Sequence, residues 1–221
     1  SRDSAGKSPP ANTPAPDWPS SSEGWPASEV RAARAECSAL LKGLAVEYEP
    51  LEPIGKKGGC GAPAPISLTR VDGVKLNPAA TVNCDLAASL HEWVTVTVQP
   101  AAKRRLKTQV TEVRAAASYV CRRRNNSSRG KLSEHGRANA LDMSGFSFAK
   151  SDASMKVGGG GWGGGILKSI GLSKDGSFLD DIRKGACTPF TTVLGPGSDR
   201  YHGDHFHVDV LRRKGDYRIC K

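Results

Sequence analysis

Long apolar runs, closely spaced cysteines and aromatic residues are scarce or missing in this sequence. No run approaches the roughly 18 apolar residues of a membrane helix, so we expect no membrane span. No two cysteines lie closer than 23 positions, which excludes the CxxC pairs of zinc knuckles and redox motifs. Aromatic residues make up 6% of the chain and do not interleave with the basic ones. We therefore expect no nucleic-acid partner; the net charge of +10 suits an anionic cell envelope as well as a nucleic acid, so the charge alone does not decide between them.

The six cysteines are spread along the whole chain, at Cys37, Cys60, Cys84, Cys121, Cys187 and Cys220. An even number at wide spacing predicts three disulfides that close long loops, each worth about 2–4 kcal/mol. We expect one of them to join Cys187 to Cys220, which ties the last predicted helix to the chain end. Disulfides persist in oxidising compartments, so we expect a periplasmic or secreted protein whose signal peptide is absent from this chain. Six unpaired thiols in a cytosolic protein are the alternative.

Two segments differ from the rest in composition. Six of the 14 prolines lie within the first 30 positions, among many serines and alanines. Proline favours extended conformations and small polar side chains offer no core, so we expect a tail or linker over 1–28 and one folded domain over 29–221. The run "GGGGWGGG" at 158–165 predicts a flexible loop, which is either a flap over a site or a tolerated insertion.

Residue periodicity predicts a mixture of helices and strands in the folded part. Ser28 is the expected N-cap of a first helix that extends towards Leu44. Asn83 is the expected N-cap of a second helix, whose end is left open by the β-branched "VTVTV". A further helix is predicted over "GSFLDDIRKGACTPF". Strands are predicted in "ISLTRV", "VKLNPAATVN", "TQVTEVRAAASYVCR", "ANALDMSGFSF" and "DHFHVDVLRR".

Histidine is rare, yet three of the five histidines stand within six positions, at His202, His205 and His207. Alternate residues of a strand project from one face, so His205 and His207 are expected side by side, about 7 Å apart. His135 and Asp142 lie upstream, beside another predicted strand. Two imidazoles and a carboxylate suit a catalytic zinc, which keeps its fourth position open for water. The pattern predicts one zinc ion per chain on His135, Asp142 and His207, with His205 beside it to exchange a proton.

The same residues resemble a known superfamily. SxHxxGxAxD followed by a distal HxH marks the peptidoglycan-cleaving metallopeptidases of the D-Ala-D-Ala and lysostaphin (LAS) superfamily, and the first motif is matched by Ser133, His135, Ala140 and Asp142. Ala138 stands where that motif has glycine. The HxxHxH spacing resembles the penicillin-insensitive murein endopeptidases. Over roughly residues 37–220 the chain is also similar to the bacterial extensin-like C-terminal family, in stretches such as "CGAPAPISL", "SYVCRRRNN" and "VLGPGSDRYHGDHFHVD".

The resemblance implies an α+β fold in which helices pack on a small antiparallel sheet that carries the zinc. It implies the ligands named above, His205 as the catalytic histidine, and His202 as the residue that orients His205 or the substrate. The alanine at position 138 leaves the shape of the pocket open. Arg122 and Arg124 are candidates to bind carboxylates of the substrate through forked hydrogen bonds. Ser133, in the loop that contains His135, is a third candidate to contact the substrate.

The expected function is a zinc-dependent peptidoglycan hydrolase that cleaves stem-peptide cross-links as a D,D-endopeptidase. A carboxypeptidase that acts on the same muropeptides is an alternative bond assignment, and we expect a monomer. An alternative from another class is a non-catalytic cell-wall-binding module whose metal site is structural or lost.

Overall fold

The computed structural model describes residues 24–149, 151–158 and 172–221. Residues 1–23 of the predicted tail and residues 159–165 of the glycine-rich run lie outside the described residues, so the expectations for them stay predictions. In the described ranges, no helix is both long enough and apolar enough to cross a membrane.

The described part contains four α-helices: α1 (Ala27–Leu41), α2 (Cys84–Trp93), α3 (Gln99–Leu106) and α4 (Leu172–Ala186). Asn83 caps α2 as predicted, because its side chain accepts a hydrogen bond from the amide of Leu86 at 2.9 Å. The prediction for Ser28 is wrong: α1 begins at Ala27, directly after Pro26, and no side chain caps it. The "VTVTV" segment is a π-helix, Val94–Val98, that joins α2 to α3, since burial of its two end valines in the core outweighs their β propensity.

Eleven strands are described: β1 (Val46–Pro50), β2 (Ile54–Lys57), β3 (Cys60–Ala62), β4 (Ile66–Val71), β5 (Val74–Val82), β6 (Val110–Ala117), β7 (Ala140–Phe148), β8 (Ser151–Lys156), β9 (Thr192–Leu194), β10 (Phe206–Asp209) and β11 (Ile219–Cys220). β2 and β3 pair with each other. The other nine form one sheet in the order β1-β4-β5-β6-β7-β10-β9-β11, with β8 also paired to β7.

The α+β class is confirmed, but the sheet is larger than predicted and is not purely antiparallel. β5 and β6 are parallel, as are β9 and β11. Parallel neighbours need a crossover connection, and the α2–α3 segment supplies it between β5 and β6. Strands as short as β11, with two residues, leave no periodic pattern in the sequence.

An aromatic cluster holds β7 against the helices. Phe146 of β7 lies edge-on to Trp93 of α2, with ring centroids 6.3 Å apart, and edge-on to Phe178 of α4 at 5.9 Å. The indole of Trp93 donates a hydrogen bond to the carbonyl of Ile182 at 2.8 Å. Because all these side chains are fully buried, β7 is fixed as a central element of the fold.

All six cysteines are paired, as predicted, in the disulfides Cys37–Cys84, Cys60–Cys121 and Cys187–Cys220. The predicted pairing of Cys187 with Cys220 is confirmed; it joins the residue after α4 to the last strand. The first disulfide joins α1 to α2, and the second joins β3 to the segment after β6. Three disulfides indicate an oxidising compartment.

Candidate metal centre

Two of the predicted ligands face each other across neighbouring strands. β10 pairs antiparallel with β7, and the register places His207 opposite Asp142. Residues directly opposite in a sheet project from the same face. Nδ1 of His207 therefore lies 2.7 Å from Oδ1 of Asp142, and both residues are buried.

The third predicted ligand, His135, lies in a short 3-10 helix, Glu134–Arg137, just before β7. Its Nδ1 lies 2.6 Å from the carbonyl oxygen of Ser118, which can only accept, so Nδ1 carries the proton. The other ring nitrogen, Nε2, points to Asp142 and lies 3.2 Å from Oδ2. Nε2 is buried and makes no hydrogen bond of acceptable geometry with the described residues. It is therefore free to bind a metal ion.

The turn that follows this helix contains Ala138, which stands where the motif named in the sequence analysis has glycine. Ala138 has a left-handed backbone, with φ of 55°, and is fully buried. Its amide donates to the carbonyl of His135 and its carbonyl accepts from the amide of Asn83. Glycine takes such a conformation without steric cost, whereas alanine does so under strain. Ala138 therefore adopts a conformation that a glycine at this position would adopt more readily.

His135, Asp142 and His207 together form a group that can hold a metal ion. One ligand atom from each residue lies within 4.8 Å of the other two, and all three residues are buried. By the contacts above, these atoms are Nε2 of His135, a carboxylate oxygen of Asp142 and Nδ1 of His207. The orphaned Nε2 and the two-nitrogen, one-oxygen donor set both fit a metal, and three protein ligands leave a position for another molecule.

The charges within this group are tightly coupled. Burial raises the pKa of Asp142, but the adjacent His135 and His207 lower it more, so the pKa lies well below its usual range. Burial lowers the pKa of His207, while hydrogen bonds to Asp142 and Asp209 raise it more strongly, to about 9. A metal ion that binds here must displace the proton of His207, since a ligating nitrogen is unprotonated.

The two remaining histidines of the cluster line the same site. Nε2 of His205 lies 3.8 Å from Oδ1 of Asp142, and its Nδ1 is 2.8 Å from Oδ1 of Asp204. The ring of His202 lies 5.2 Å from that of His205 and 5.7 Å from that of His207. Contrary to the prediction, His205 is not a strand residue, because β10 begins at Phe206 and His205 belongs to the preceding bend. It still faces the metal group.

These residues lie in a cleft of about 570 Å³. All of the predicted metal, catalytic and substrate-binding residues line it, including Arg122, Arg124 and Ser133. A separate cavity of about 420 Å³, bordered by Trp25, Leu40 and other residues, has no histidine in its wall. The cleft is therefore the candidate site.

A protein-family model, described as the extensin-like protein C-terminus, matches residues 35–221 of the chain. The chain belongs to this family. Comparison of this extensin-like chain with curated proteins gave no match, and comparison with solved structures gave none either. The matched range includes every residue that lines the cleft.

The partners of the histidines in the extensin-like domain were not predicted from the sequence. Asp199 lies 2.7 Å from Nδ1 of His202, and Asp209 lies 3.4 Å from Nε2 of His207. The alternation of side chains along a strand could have identified Asp209, because residues 207 and 209 share one face of β10. No sequence pattern indicated Asp199 or the carbonyl of Ser118, since loop geometry alone brings them to the rings of His202 and His135.

Proposed function

We propose that this extensin-like domain is a zinc-dependent hydrolase that cleaves the stem-peptide cross-links of peptidoglycan, as a D,D-endopeptidase. The observation that carries the proposal is the buried group of His135, Asp142 and His207 with His205 at its open side. Two imidazoles and one carboxylate suit zinc, and catalytic zinc sites have three protein ligands. The likeness of the SxHxxGxAxD and HxH motifs to the LAS metallopeptidases supports the same reaction.

When bound, zinc supplies Lewis acidity, which activates a water molecule and polarises a peptide carbonyl. The proton of that water needs an acceptor, and Nε2 of His205 faces the metal group at 3.8 Å from Asp142. Asp204 accepts the Nδ1 proton of His205, which leaves the Nε2 lone pair directed into the site. His205 takes the proton at Nε2 and returns it to the leaving amine as the peptide bond breaks.

His202 has a supporting position beside His205. Both oxygens of Asp199 lie within 2.9 Å of its Nδ1, so its Nε2 is the nitrogen available to neighbours. Asp199 also accepts hydrogen bonds from the amides of Tyr201 and His202, which holds this turn together. We propose that His202 orients His205 or the substrate.

Arginines at the rim of the cleft suit the free carboxylates of muropeptides. Arg122 lines the cleft, and its guanidinium makes no hydrogen bond or ion pair with the described residues. Arg124 lies 3.9 Å from Glu134, a contact that leaves most of its donors available. Guanidinium groups bind carboxylates through two parallel hydrogen bonds. We propose that Arg122 and Arg124 hold substrate carboxylates and that Ser133, in the same wall, contacts the substrate.

The proposed setting is the periplasm or the cell exterior. The three disulfides support an oxidising compartment. The net charge of +10 suits contact with an anionic envelope.

One observation favours the non-catalytic alternative. Nε2 of His205 lies close enough to Asp142 that a modest shift of the bend before β10 makes it a fourth ligand. Four protein ligands close a zinc site, as in structural sites. In that case the domain binds the cell wall without cutting it, and replacement of His205 weakens zinc binding instead of sparing it.

The deciding experiment measures zinc content and muropeptide digestion in one preparation. We expect one zinc per chain, and we expect cross-linked dimers to be converted to monomers. Chromatography and mass spectrometry would detect this conversion. Asp142→Asn is the matched inactive control. Release of terminal D-Ala with intact dimers would replace the endopeptidase assignment by a carboxypeptidase. Binding to sacculi with no product from either substrate would favour the wall-binding module, and metal-independent, salt-sensitive DNA binding would favour a nucleic-acid binder.

A further inference from the structure

A second carboxylate, Asp209, lies behind the proposed ligand His207. It is the last residue of β10, an interior strand with β7 on one side and β9 on the other. The Asp209 side chain shares its face of the strand with His207 and is 5% exposed. A buried carboxylate is costly unless it is paired, so its partners indicate its role.

The partners of Asp209 are all donors or proton-bearing groups. Oδ1 accepts hydrogen bonds from the amide of Leu211 at 3.1 Å and from the hydroxyl of Thr191 at 3.3 Å. Oδ2 lies 3.4 Å from Nε2 of His207. One oxygen is thus anchored to the turn after β10 and to the residue before β9, and the other faces the imidazole.

The two nitrogens of His207 therefore have different surroundings. Nδ1 faces Asp142 and the metal group, whereas Nε2 faces Asp209. A neutral imidazole has one protonated and one unprotonated nitrogen. If Nε2 keeps the proton and donates it to Asp209, the lone pair is on Nδ1, where the metal group needs it. His135 is supported in a similar way with the two nitrogens exchanged: its Nδ1 donates to a neutral acceptor, the carbonyl of Ser118, and its Nε2 faces the metal group.

We infer that Asp209 is a positioning residue, which accepts the Nε2 proton of His207, selects the tautomer that binds metal through Nδ1, and fixes the plane of the ring. The inference rests on the proposed zinc site. A carboxylate behind a ligating histidine also makes the ligand more basic, and loss of such a partner typically weakens metal binding by about 10–100-fold.

The test is the zinc dissociation constant, measured by competition with a chromophoric chelator. We expect Asp209→Ala to weaken zinc binding by about 10–100-fold. Asp209→Asn should fall between Asp209→Ala and wild type, because the amide oxygen still accepts a hydrogen bond but has no charge. Asp181→Asn is the control, since it removes a carboxylate that pairs with Arg104 and Arg105 on α3, and Asp181 does not line the cleft.

A second readout separates positioning from general loss of structure. The absorption spectrum of the Co²⁺-loaded protein reports ligand geometry, so it should change in both Asp209 variants and stay unchanged in Asp181→Asn. If Asp209→Ala does not fold, as judged by thermal unfolding of the metal-free protein, Asp209→Asn decides the matter. Wild-type zinc affinity and an unchanged Co²⁺ spectrum in a folded Asp209 variant would overturn the inference. Failure of the wild-type protein to bind zinc would instead overturn the proposed function.

Discussion

Nδ1 of His207 lies 2.7 Å from Oδ1 of Asp142, although the two residues are 65 positions apart in the chain. The pairing of β10 with β7 creates this contact, because it places the two residues directly opposite each other. Both belong to paired strands of one sheet, so their relative position does not depend on a loop. Sites built on strands hold their ligands more accurately than sites built on loops.

Zinc content is the first prediction. Wild-type protein loaded with zinc and then dialysed should retain about one ion per chain by elemental analysis. Asp142→Ala should retain much less, because the variant loses one of three protein ligands and leaves the two histidines without their shared partner. Asp181→Ala, at an ion pair outside the cleft, should retain as much as wild type. Absence of zinc from the wild-type protein after careful loading would contradict the ligand assignment.

Replacement of His205 should separate metal binding from catalysis. His205→Ala should keep zinc, because the proposed ligands are untouched, but should lose about 10²–10⁴-fold in turnover of cross-linked muropeptides, as general acid–base groups typically contribute. His207→Ala should lose both zinc and turnover. His91→Ala on α2 is the matched control, since His91 lies outside the cleft wall. Full activity of His205→Ala would refute the proposed proton transfer.

The stability of the metal-free protein should fall as the pH rises from 6.5 to 9. His207 faces Asp142 on β7, Asp209 on its own strand, and the rings of His135 and His202, and the two carboxylates raise its pKa from 6.5 to about 9. A raised pKa in the folded state contributes stability that is fully present below the unfolded value. That contribution is lost as the pH rises through the folded value, and here it amounts to at most about 3 kcal/mol.

Chemical denaturation at a series of pH values checks this expectation. The free energy of unfolding of the wild type should decline across the window relative to that of His207→Gln, which has no group to titrate there. Saturating zinc should remove the decline, because the metal replaces the proton. Parallel curves for wild type and His207→Gln would show that His207 does not hold the proton.

Gly158 should be indispensable for the loop that precedes β10. A Cβ atom at this position would lie 1.9 Å from the carbonyl oxygen of Gly203, and the backbone has φ of +71°. Gly215 is a matched control, because it has the same φ but a Cβ atom there would meet no atom within 4 Å beyond its own chain neighbours. Gly215→Ala therefore meets only the conformational strain, about 1–2 kcal/mol. Gly158→Ala meets that strain and a collision with backbone.

Thermal unfolding and muropeptide turnover check the pair of glycine variants. Gly158→Ala should lower the melting temperature more than Gly215→Ala does. It should also reduce turnover, since Gly203 stands between His202 and His205 and the backbone there must move. Equal melting temperatures and unchanged turnover in both variants would show that the close approach of Gly158 to Gly203 has no role in the site.

The amino-acid sequence was sufficient to predict the elements with strong local signals and to propose the residues of the candidate site. The Asn83 cap depends on a side chain and an amide three positions apart, and it was predicted. The cysteine count and spacing predicted three disulfides and the Cys187–Cys220 pair. The clustering of the histidines and the spacing of His135 and Asp142 predicted a group of His135, Asp142 and His207, and the fold brings these three residues together in an arrangement that could hold a metal ion.

The orientation of the proposed ligands and the groups that support them became clear only from the folded structure. The nitrogen that each histidine presents follows from the groups behind the rings, Ser118 and Asp209, which long-range pairing and loop closure bring there. The size of the sheet and its two parallel pairs likewise depend on contacts between distant segments. Such contacts leave no local pattern, because the free energy that selects them comes from burial and pairing in the complete fold.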